Sequence, residues 1–427
     1  MANVLKVLIC HLLLVFDFVH VHGSDGASTA GVYDVTEYGA APGDGDNKGA
    51  FLAAWRAACG SAAGNSTLLV PEGTFTVGAV EFSGPCRGGD APVVVIDGVL
   101  QPCAAGCRLS SDAWVTFSWL ENLLVTGAGT LDGRGARTGK PKHKTTTLLF
   151  DKVANSTVRG LAFVNSRGFH VNFHRCSRVT ADGLRIHAPA ASRNTDGIHV
   201  GGSSHVRILD TAIGTGDDCV SVGPGSTDVV VSGVACGPGH GISVGSLGRE
   251  EGEADVRGLV VRNCTVRGTT NGLRIKTWPG SPPGRASNIT FEDITMADVS
   301  NPIFIDQQYC PHRHCSDVDK LSKLDGRRRR RCRAGEQPSL VQISDVTFKR
   351  IEGTSRSRVA VQLLCSEDRP CTGVRLDGVN LSCGEQPCHE QFENVQGAPA
   401  SAAQAPIPTV RPEEAADGAS GTEQPGQ

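Results

Sequence analysis

Hydrophobic positions recur along this chain in an eight-residue pattern: apolar, any, apolar, any, then Gly, Asn or Asp, then two residues of any kind, then apolar. The clearest copies occupy 206–213, 229–236, 259–266 and 289–296, and weaker copies begin at Val179 and Val374. Successive starts at 179, 206, 229, 259 and 289 lie 23 to 30 residues apart. Each copy alternates with a period of two and then turns on a small or polar residue, which predicts a half-buried strand followed by a bend.

A second, shorter pattern of apolar residues follows each copy of the first. It occurs at 197–200, 219–222, 241–244, 272–275 and 302–305. Two or three short strands in every repeat of about 25 residues, with almost no helical pattern between them, predict the stacked coils of a parallel β-helix. Leucine-rich repeats would need a Leu spacing and an Asn ladder that are absent here. An antiparallel sandwich would need hairpin signals at this period, and these do not recur.

Stacked coils leave apolar core and an open sheet edge at each end, which must be covered. The chain has one good helical pattern, at 47–59, with Asp46 or Asn47 available as its N-cap. The apolar residues on one face of this helix are Phe51, Leu52, Trp55 and Ala58. We therefore predict that this helix caps the first coil.

A segment at each end of the chain falls outside the repeats. Residues 1–23 have the pattern of a secretory signal, with Lys6 before an apolar run at 7–16. Residues 394–427 are rich in Ala, Pro, Gly and Glu and predict a disordered tail, which leaves 24–393 as a single β-helix domain. No later segment approaches the roughly 20 apolar residues that span a bilayer, so we expect a soluble mature chain without membrane contact.

An arginine-rich run, 327–333, interrupts the regular pattern within 313–337. Its simplest interpretation is a solvated loop. A gene-model artefact and a patch that grips an acidic polymer are the alternatives. The net charge of the whole chain is only -3, so a nucleic-acid partner has no general electrostatic support.

Cysteine usage favours an oxidising compartment, since 15 of the 16 Cys lie beyond the signal. Cys365/Cys371 and Cys383/Cys388 are spaced to close small loops, and the odd count implies at least one unpaired thiol. Zinc is disfavoured because no paired CxxC spacing occurs. Five Asn-X-Ser/Thr sequences are candidate glycan acceptors: Asn65, Asn155, Asn263, Asn288 and Asn380.

Polar residues fall into register when the second patterns are aligned. Asp196, Asp218 and His240 each precede one of these strands, in steps of 22 residues. They are therefore expected on successive coils, separated by about 4.8 Å. Asp217 stands one position earlier, at the bend. One coil further on, Arg274 and Lys276 flank the buried Ile275 and face the opposite side from it.

Three carboxylates that lie close together repel one another when ionised, which raises one pKa and keeps a proton in the cluster. A general acid and a general base at one site require this, and glycoside hydrolysis uses such a division between two carboxyl groups. Arg274 and Lys276 suit a substrate whose sugars carry carboxylates. A calcium site is the competing interpretation, but the neighbouring cations and His240 oppose a metal. We expect neither a metal nor a cofactor.

These residues resemble the polygalacturonases of glycoside hydrolase family 28. The resemblance covers about 31–393 and is carried by four motifs in order: Asn194-Thr195-Asp196, Gly216-Asp217-Asp218-Cys219, Gly239-His240-Gly241-Ile242-Ser243 and Arg274-Ile275-Lys276. It implies a right-handed, pectin-lyase-like β-helix. It also implies that Asp217 is the general acid, that Asp196 and Asp218 hold and deprotonate the attacking water, and that the anomeric configuration inverts.

The resemblance further implies that His240 tunes the protonation of the acid. It assigns substrate binding to Arg274, Lys276, Asn194 and Tyr309, and it suggests a Cys219–Cys236 disulfide. The expected partner is the galacturonan of pectin, attacked by a secreted, cell-wall monomer that is similar to the pollen exo-acting branch. Endo action, or hydrolysis of rhamnogalacturonan or xylogalacturonan, remains the alternative. A calcium-dependent lyase and a catalytically silent wall-binding protein are less favoured, the latter because all three carboxylates and His240 are present.

Overall fold

Successive coils of the chain stack as a right-handed parallel β-helix. A computed structural model describes residues 31–62, 65–103, 112–135, 144–311 and 337–397. All the strand pairs between coils are parallel, as the repeat pattern predicts. The predicted signal at 1–23 and the arginine-rich run at 327–333 lie outside the described residues.

Sheet 1 is a ladder of eleven strands in the described part of the chain. In chain order they are Val80–Ser83, Ala113–Ser118, Thr146–Asp151, Val171–His174, Ile198–Gly201, Val220–Val222, Ile242–Leu247, Asn271–Thr277, Asn301–Asp306, Val359–Leu364 and His389–Glu393. The second sequence pattern forms the middle of this ladder. Its strands present one face to the interior and the other to solvent.

Sheet 2 contains twenty strands in the described residues and carries the first sequence pattern. One row of it comprises Val32–Asp34, Thr67–Val70, Val93–Ile96, Leu124–Thr126, Ala154–Arg159, Ser177–Asp182, Ser204–Leu209, Thr227–Ser232, Val256–Arg267, Gly284–Val299, Val341–Ser355, Cys371–Ser382 and Val395–Gln396. A second row comprises Thr74–Thr76, Val99–Gln101, Thr130–Asp132, Ala162–Val164, Arg185–His187, Ala212–Gly214 and Ala235–Cys236. The two rows merge where the long strand Val256–Arg267 pairs with both.

The interior is built from columns of like residues on successive coils. In sheet 1, Ile198 pairs with Val220 and Val220 with Ile242, and all three are fully buried. Leu273 and Ile303 continue the same column. Because the side-chain period of a strand is two, this register fixes which residues of every coil face outward.

Aromatic rings form one such column near the N-terminal end. Phe82, Phe117, Phe150 and Phe173 are register partners whose neighbouring ring centroids lie 5.2, 5.7 and 5.2 Å apart. Trp55 of the helix packs against the first ring, with centroids 5.1 Å apart. The predicted helix therefore does cap the first coils.

That helix spans Lys48–Gly60 and is preceded by a short 3-10 turn at Val35–Tyr38. Asn47 occupies the N-cap position but its side chain makes no capping bond, because it bonds the backbone of Ala41 instead. Asp46 accepts from the Lys48 amide at 3.0 Å. Leu52, predicted on the apolar face, is only half-buried.

A short strand lies just beyond the C-terminal boundary that we predict at 393. Val395 and Gln396 pair with Cys371 and Thr372, because the last coil still offers an open edge there. The remainder of the predicted tail, 398–427, lies outside the described residues. None of the helices in the described ranges is long and apolar enough to cross a membrane.

Disulfides close several loops. The two close pairs predicted from spacing and the Cys219–Cys236 bond that the family resemblance suggested are all present, and Cys59–Cys86 is an additional bond. Cys176 and Cys264 are buried free thiols, and burial raises the pKa of each to about 11. The asparagines of all five glycosylation sequences are exposed.

Removing a ring from the aromatic column tests the packing of the interior. Phe150→Ala should lower the free energy of unfolding by about 3–5 kcal/mol, because it leaves a cavity between two rings. Leu149→Ala is the matched control, since Leu149 is the half-buried neighbour on the opposite face of the same strand. Denaturant unfolding of both variants measures the difference. Equal losses for the two variants would show that the column does not carry the stability assigned to it.

Candidate active site

The register of sheet 1 brings one row of polar residues together at the start of three strands. Asp196, Asp218 and His240 each stand two positions before a member of the column Ile198, Val220 and Ile242. Backbone bonds hold the row, with the Gly197 amide donating to Asp218 O at 2.9 Å. These three residues therefore lie on successive coils, on the outer side of the β-helix.

Asp218 is held by two cations and a hydroxyl. Arg274 Nη2 and Ser243 Oγ donate to its Oδ1, both at 2.8 Å, and Lys276 Nζ lies 2.7 Å from its Oδ2. The Asp218 side chain is only 1% exposed, and both cations are buried with it. Charge-assisted bonds to both oxygens therefore fix the orientation of this buried side chain.

Asp217 has a different set of partners. His240 Nδ1 lies 3.0 Å from its Oδ1, which also accepts from the Asp218 amide at 2.9 Å. Asn194 donates to Oδ2 from its backbone amide at 3.1 Å and from its side chain at 3.5 Å. Burial raises the pKa of Asp217, but the hydrogen bond and the charge of His240 outweigh it and leave the pKa lowered.

Within the described residues, the carboxyl group of Asp196 has neither a cation nor a histidine in direct contact. Ser221 Oγ donates to its Oδ2 at 2.7 Å, and the same hydroxyl lies 2.8 Å from His199 Nδ1. Burial, together with the charges of Asp218 and Asp217, holds the pKa of Asp196 well above its usual range. Because the Ser221 hydroxyl donates to Asp196, its oxygen accepts a hydrogen bond from His199 Nδ1–H, which fixes the tautomer of that imidazole.

The backbone of Asp196 is anchored from the preceding coil by His170. The His170 amide donates to Asp196 O at 2.9 Å, and its Nδ1 reaches the same oxygen at 3.0 Å. The Ser166 amide donates to His170 Nε2 at 3.3 Å, so the imidazole is a neutral Nδ1–H tautomer. The ring is fully buried, and this burial lowers its pKa to about 4.

Tyr309 lies beside the two cations. Its ring centroid is 5.2 Å from Lys276 Nζ and 5.8 Å from the Arg274 guanidinium carbon. Trp278 packs edge-on against Tyr309, with centroids 5.4 Å apart. All eight residues singled out from the sequence thus lie in or beside one cluster.

The model of the Glycosyl hydrolases family 28 matches residues 59–326 and 327–403 of the chain. The chain belongs to this family. The exopolygalacturonase of Platanus acerifolia is 43% identical over 364 residues, which cover 83% of this chain and 91% of that protein. The polygalacturonase of Medicago sativa is 39% identical over 386 residues, which cover 87% of this chain and 86% of that protein.

Solved structures share the fold of this family 28 chain. The crystal structure of endo-xylogalacturonan hydrolase from Aspergillus tubingensis superposes with a TM-score of 0.71 at 22% identity. The match covers 88% of this chain and 100% of that one. At this identity the likeness concerns the β-helix architecture alone.

One group of side chains in the described part of this family 28 chain has the geometry to hold a metal ion. The ligand atoms of Asp217, Asp218 and His240 all lie within 4.8 Å of one another. Arg274 and Lys276 already bind both oxygens of Asp218, and their charges oppose a cation. Calcium therefore fits this group of side chains poorly, whereas the two neighbouring cations suit an anionic substrate.

Two contacts of the site bear on the expectations drawn from the sequence. His240 shares the row of Asp196 and Asp218 but contacts Asp217, as the family resemblance implied, because the Asp217 side chain turns toward the next coil. Arg274 and Lys276 face outward as expected, yet they bind Asp218 directly. Any substrate carboxylate that they bind shares them with Asp218.

Sequence reasoning missed the role of three residues that orient the carboxylates or their partners. His199, Ser221 and Ser243 are consecutive register partners on the outer face of sheet 1, in a column that continues to the predicted site residue Arg274. A signal was present, since each stands at an outward-facing position between apolar residues of the second pattern. A comparison of this one strand position between successive coils predicts the column. His170 carries no comparable signal.

His170 should make the fold sensitive to acid. Its pKa is 6.5 in the unfolded chain and about 4 in the folded one, so below pH 6.5 the unfolded state takes up a proton that the folded state does not. The free energy of unfolding therefore falls by on the order of 3 kcal/mol, and this loss is complete below about pH 4. Denaturant unfolding across this window should show a smaller acid-side loss for His170→Asn than for the natural chain.

His205→Asn is the control, because the His205 side chain is 65% exposed on the surface. This control should retain the acid-side loss of the natural chain. The same loss in His170→Asn would contradict the assignment of a buried neutral imidazole.

Proposed function

We propose that this chain is an exo-acting polygalacturonase that hydrolyses the α-1,4-galacturonosidic linkages of homogalacturonan with inversion. The observation that carries the proposal is the cluster of three carboxylates in three different electrostatic environments, beside two buried cations. A glycosidase needs carboxyl groups of unequal proton affinity at one site. The cations and Tyr309 suit sugars that carry carboxylates.

In the mechanism that we propose, Asp217 delivers a proton to the glycosidic oxygen as the bond from that oxygen to C1 breaks. Water attacks C1 from the opposite face of the ring and gives its proton to a carboxylate. The raised pKa of Asp196 makes it the strongest proton acceptor of the three. Asp218, which its two cations hold in place, helps to orient that water.

Asp217 must carry a proton in order to donate it, yet its pKa is lowered in the site without substrate. His240 and Asp217 share a hydrogen bond, so one proton held by this pair is available to the leaving oxygen. An anionic sugar bound nearby adds negative charge, which raises the pKa of Asp217. In this proposal, substrate binding moves the shared proton towards the carboxyl that uses it.

Exo action is supported by the name of the relative from Platanus acerifolia, an exopolygalacturonase. Endo action on the same polymer is the main alternative, and the Medicago sativa relative is named only a polygalacturonase. Rhamnogalacturonan and xylogalacturonan hydrolysis use related pectin backbones. The products of the reaction distinguish all these activities.

We propose that the enzyme acts in the cell wall as a secreted monomer. The predicted signal at 1–23, the disulfides and the exposed asparagines of the five glycosylation sequences support this location. The pectic galacturonan of the wall is the substrate. The boundaries that we propose are a signal, one β-helix domain from 24 and a tail after Gly397.

Removing the proposed proton donor tests the activity. Asp217→Asn should reduce the rate on polygalacturonate by roughly 10²–10⁴-fold, because an amide cannot deliver the proton. The assay contains a chelator and follows reducing ends, ultraviolet absorbance and product size together. Monogalacturonate that accumulates from the start without ultraviolet absorbance is the expected result.

Asp228→Asn, on a side chain that is 61% exposed, should keep full activity. Mixed oligomers as first products would replace exo with endo action. Unsaturated, ultraviolet-absorbing products would indicate a lyase. Absence of cleavage by the natural chain would overturn the proposed function.

The pH profile tests the role of His240. Activity should peak at mildly acidic pH, since Asp196 must be ionised while the His240–Asp217 pair keeps its proton. His240 shares this proton with Asp217, so in His240→Gln the carboxyl group must retain it alone, and the alkaline limb of kcat/KM should move to lower pH. The maximum rate should fall as the orienting bond is lost. An alkaline limb that stays in place or moves to higher pH would refute the shared proton.

A further inference from the structure

Two arginines meet on neighbouring coils outside the cluster described above. Arg134 follows the strand Thr130–Asp132, in a turn where its φ is 54°. Arg167 lies on the next coil, and its Nε donates to Gly133 O at 3.1 Å. A Cβ at Gly135 would lie 2.3 Å from Ser166 O, so the backbones of the two turns touch.

Nothing in the described residues neutralises these two cations. Neither Arg134 nor Arg167 has an ion pair within the described ranges, and Arg134 Nε is buried there without a hydrogen-bond partner. Burial and the charge of Arg134 lower the pKa of Arg167, which nevertheless stays cationic. Like charges that are half-buried together and unpaired destabilise the protein unless an anion joins them.

The arginine pair lies on the N-terminal side of the carboxylates in the stack of coils. Arg167 stands four residues before Val171, just as Asn194 stands four residues before Ile198, and Val171 and Ile198 are register partners. Arg167 is therefore the counterpart, one coil toward the N-terminus, of the asparagine that holds Asp217. Arg274 and Lys276 lie on the other side of the carboxylates, on a later coil.

We propose that Arg134 and Arg167 form a second carboxylate-binding subsite. It takes the acid group of the galacturonosyl unit on the opposite side of the scissile bond from the unit held by Arg274 and Lys276. This inference rests on the proposed function and assigns it two further substrate-binding residues. A guanidinium presents parallel N–H donors that match a carboxylate, and a carboxylate between two guanidinium groups offsets one of their two charges.

The subsite also accounts for the missing partner of the arginine pair. A sugar carboxylate between the two guanidinium groups would accept hydrogen bonds from them and relieve their repulsion. Cations on both sides of the cleavage position would hold two consecutive acidic sugars across the carboxylates. Neutral sugars would gain neither contact.

The test measures binding of trigalacturonate by calorimetry in an Asp217→Asn background, so that no hydrolysis occurs. Arg134→Gln and Arg167→Gln should each weaken binding by at least about tenfold, the effect of losing one charge-assisted bond pair. Arg175→Gln is the matched control: Arg175 is an exposed arginine just beyond the opposite end of the strand Val171–His174. This control should bind within about twofold of the background.

Thermal unfolding separates a binding role from a structural one. Removing one of two repelling cations should leave Tm unchanged or raise it in the absence of sugar, whereas a structural arginine would lower Tm when replaced. Arg167→Lys keeps the charge but not the paired donors, so its affinity should fall between those of Arg167 and Gln. Trigalacturonate affinity that is unchanged in both Gln variants, or that falls only together with Tm, overturns the subsite.

Hydrolysis of polygalacturonate by the natural chain is assayed in parallel. Normal hydrolysis combined with unchanged binding by the arginine variants refutes the subsite alone. Absence of both hydrolysis and trigalacturonate binding refutes the proposed function as well.

Discussion

The register between coils is the constraint on which the rest of this structure depends. Ile198, Val220 and Ile242 stack inside the β-helix, and this stacking places Asp196, Asp218 and His240 in a row outside it. A slip of one residue in any coil would turn its apolar side chains to water and its polar ones into the core. The same packing that stabilises the fold therefore aligns the site, and no flexible loop has to hold the carboxylates in place.

Three aspartates of one chemical type acquire different properties from their neighbours alone. Two cations bind Asp218, a histidine lowers the pKa of Asp217, and burial without a cation in direct contact raises that of Asp196. Each neighbour comes from a different coil, so the division of roles is a product of stacking. Replacing one partner would alter one carboxyl and perturb the others through their mutual repulsion.

The sequence predicted the coils, the capping helix and the row of polar residues, because all three follow from periodicity. It could not predict which side chain meets which. Ser221 bonds Asp196 across coils, and Arg274 and Lys276 bond Asp218, since these contacts depend on rotamers in three dimensions. The Cys59–Cys86 bond and the last short strand, at 395–396, were missed for a related reason: neither is repeated along the chain.

The buried thiols of Cys176 and Cys264 affect how the protein is inactivated when it unfolds. In the folded state their raised pKa and their burial keep them from reacting, even in an oxidising medium. On unfolding, both become ordinary thiols in a chain that also carries disulfides such as Cys219–Cys236, and their thiolates can attack those bonds. Scrambled pairings then trap the opened chain, so heat inactivation is governed by the rate of opening and not by an equilibrium between two states.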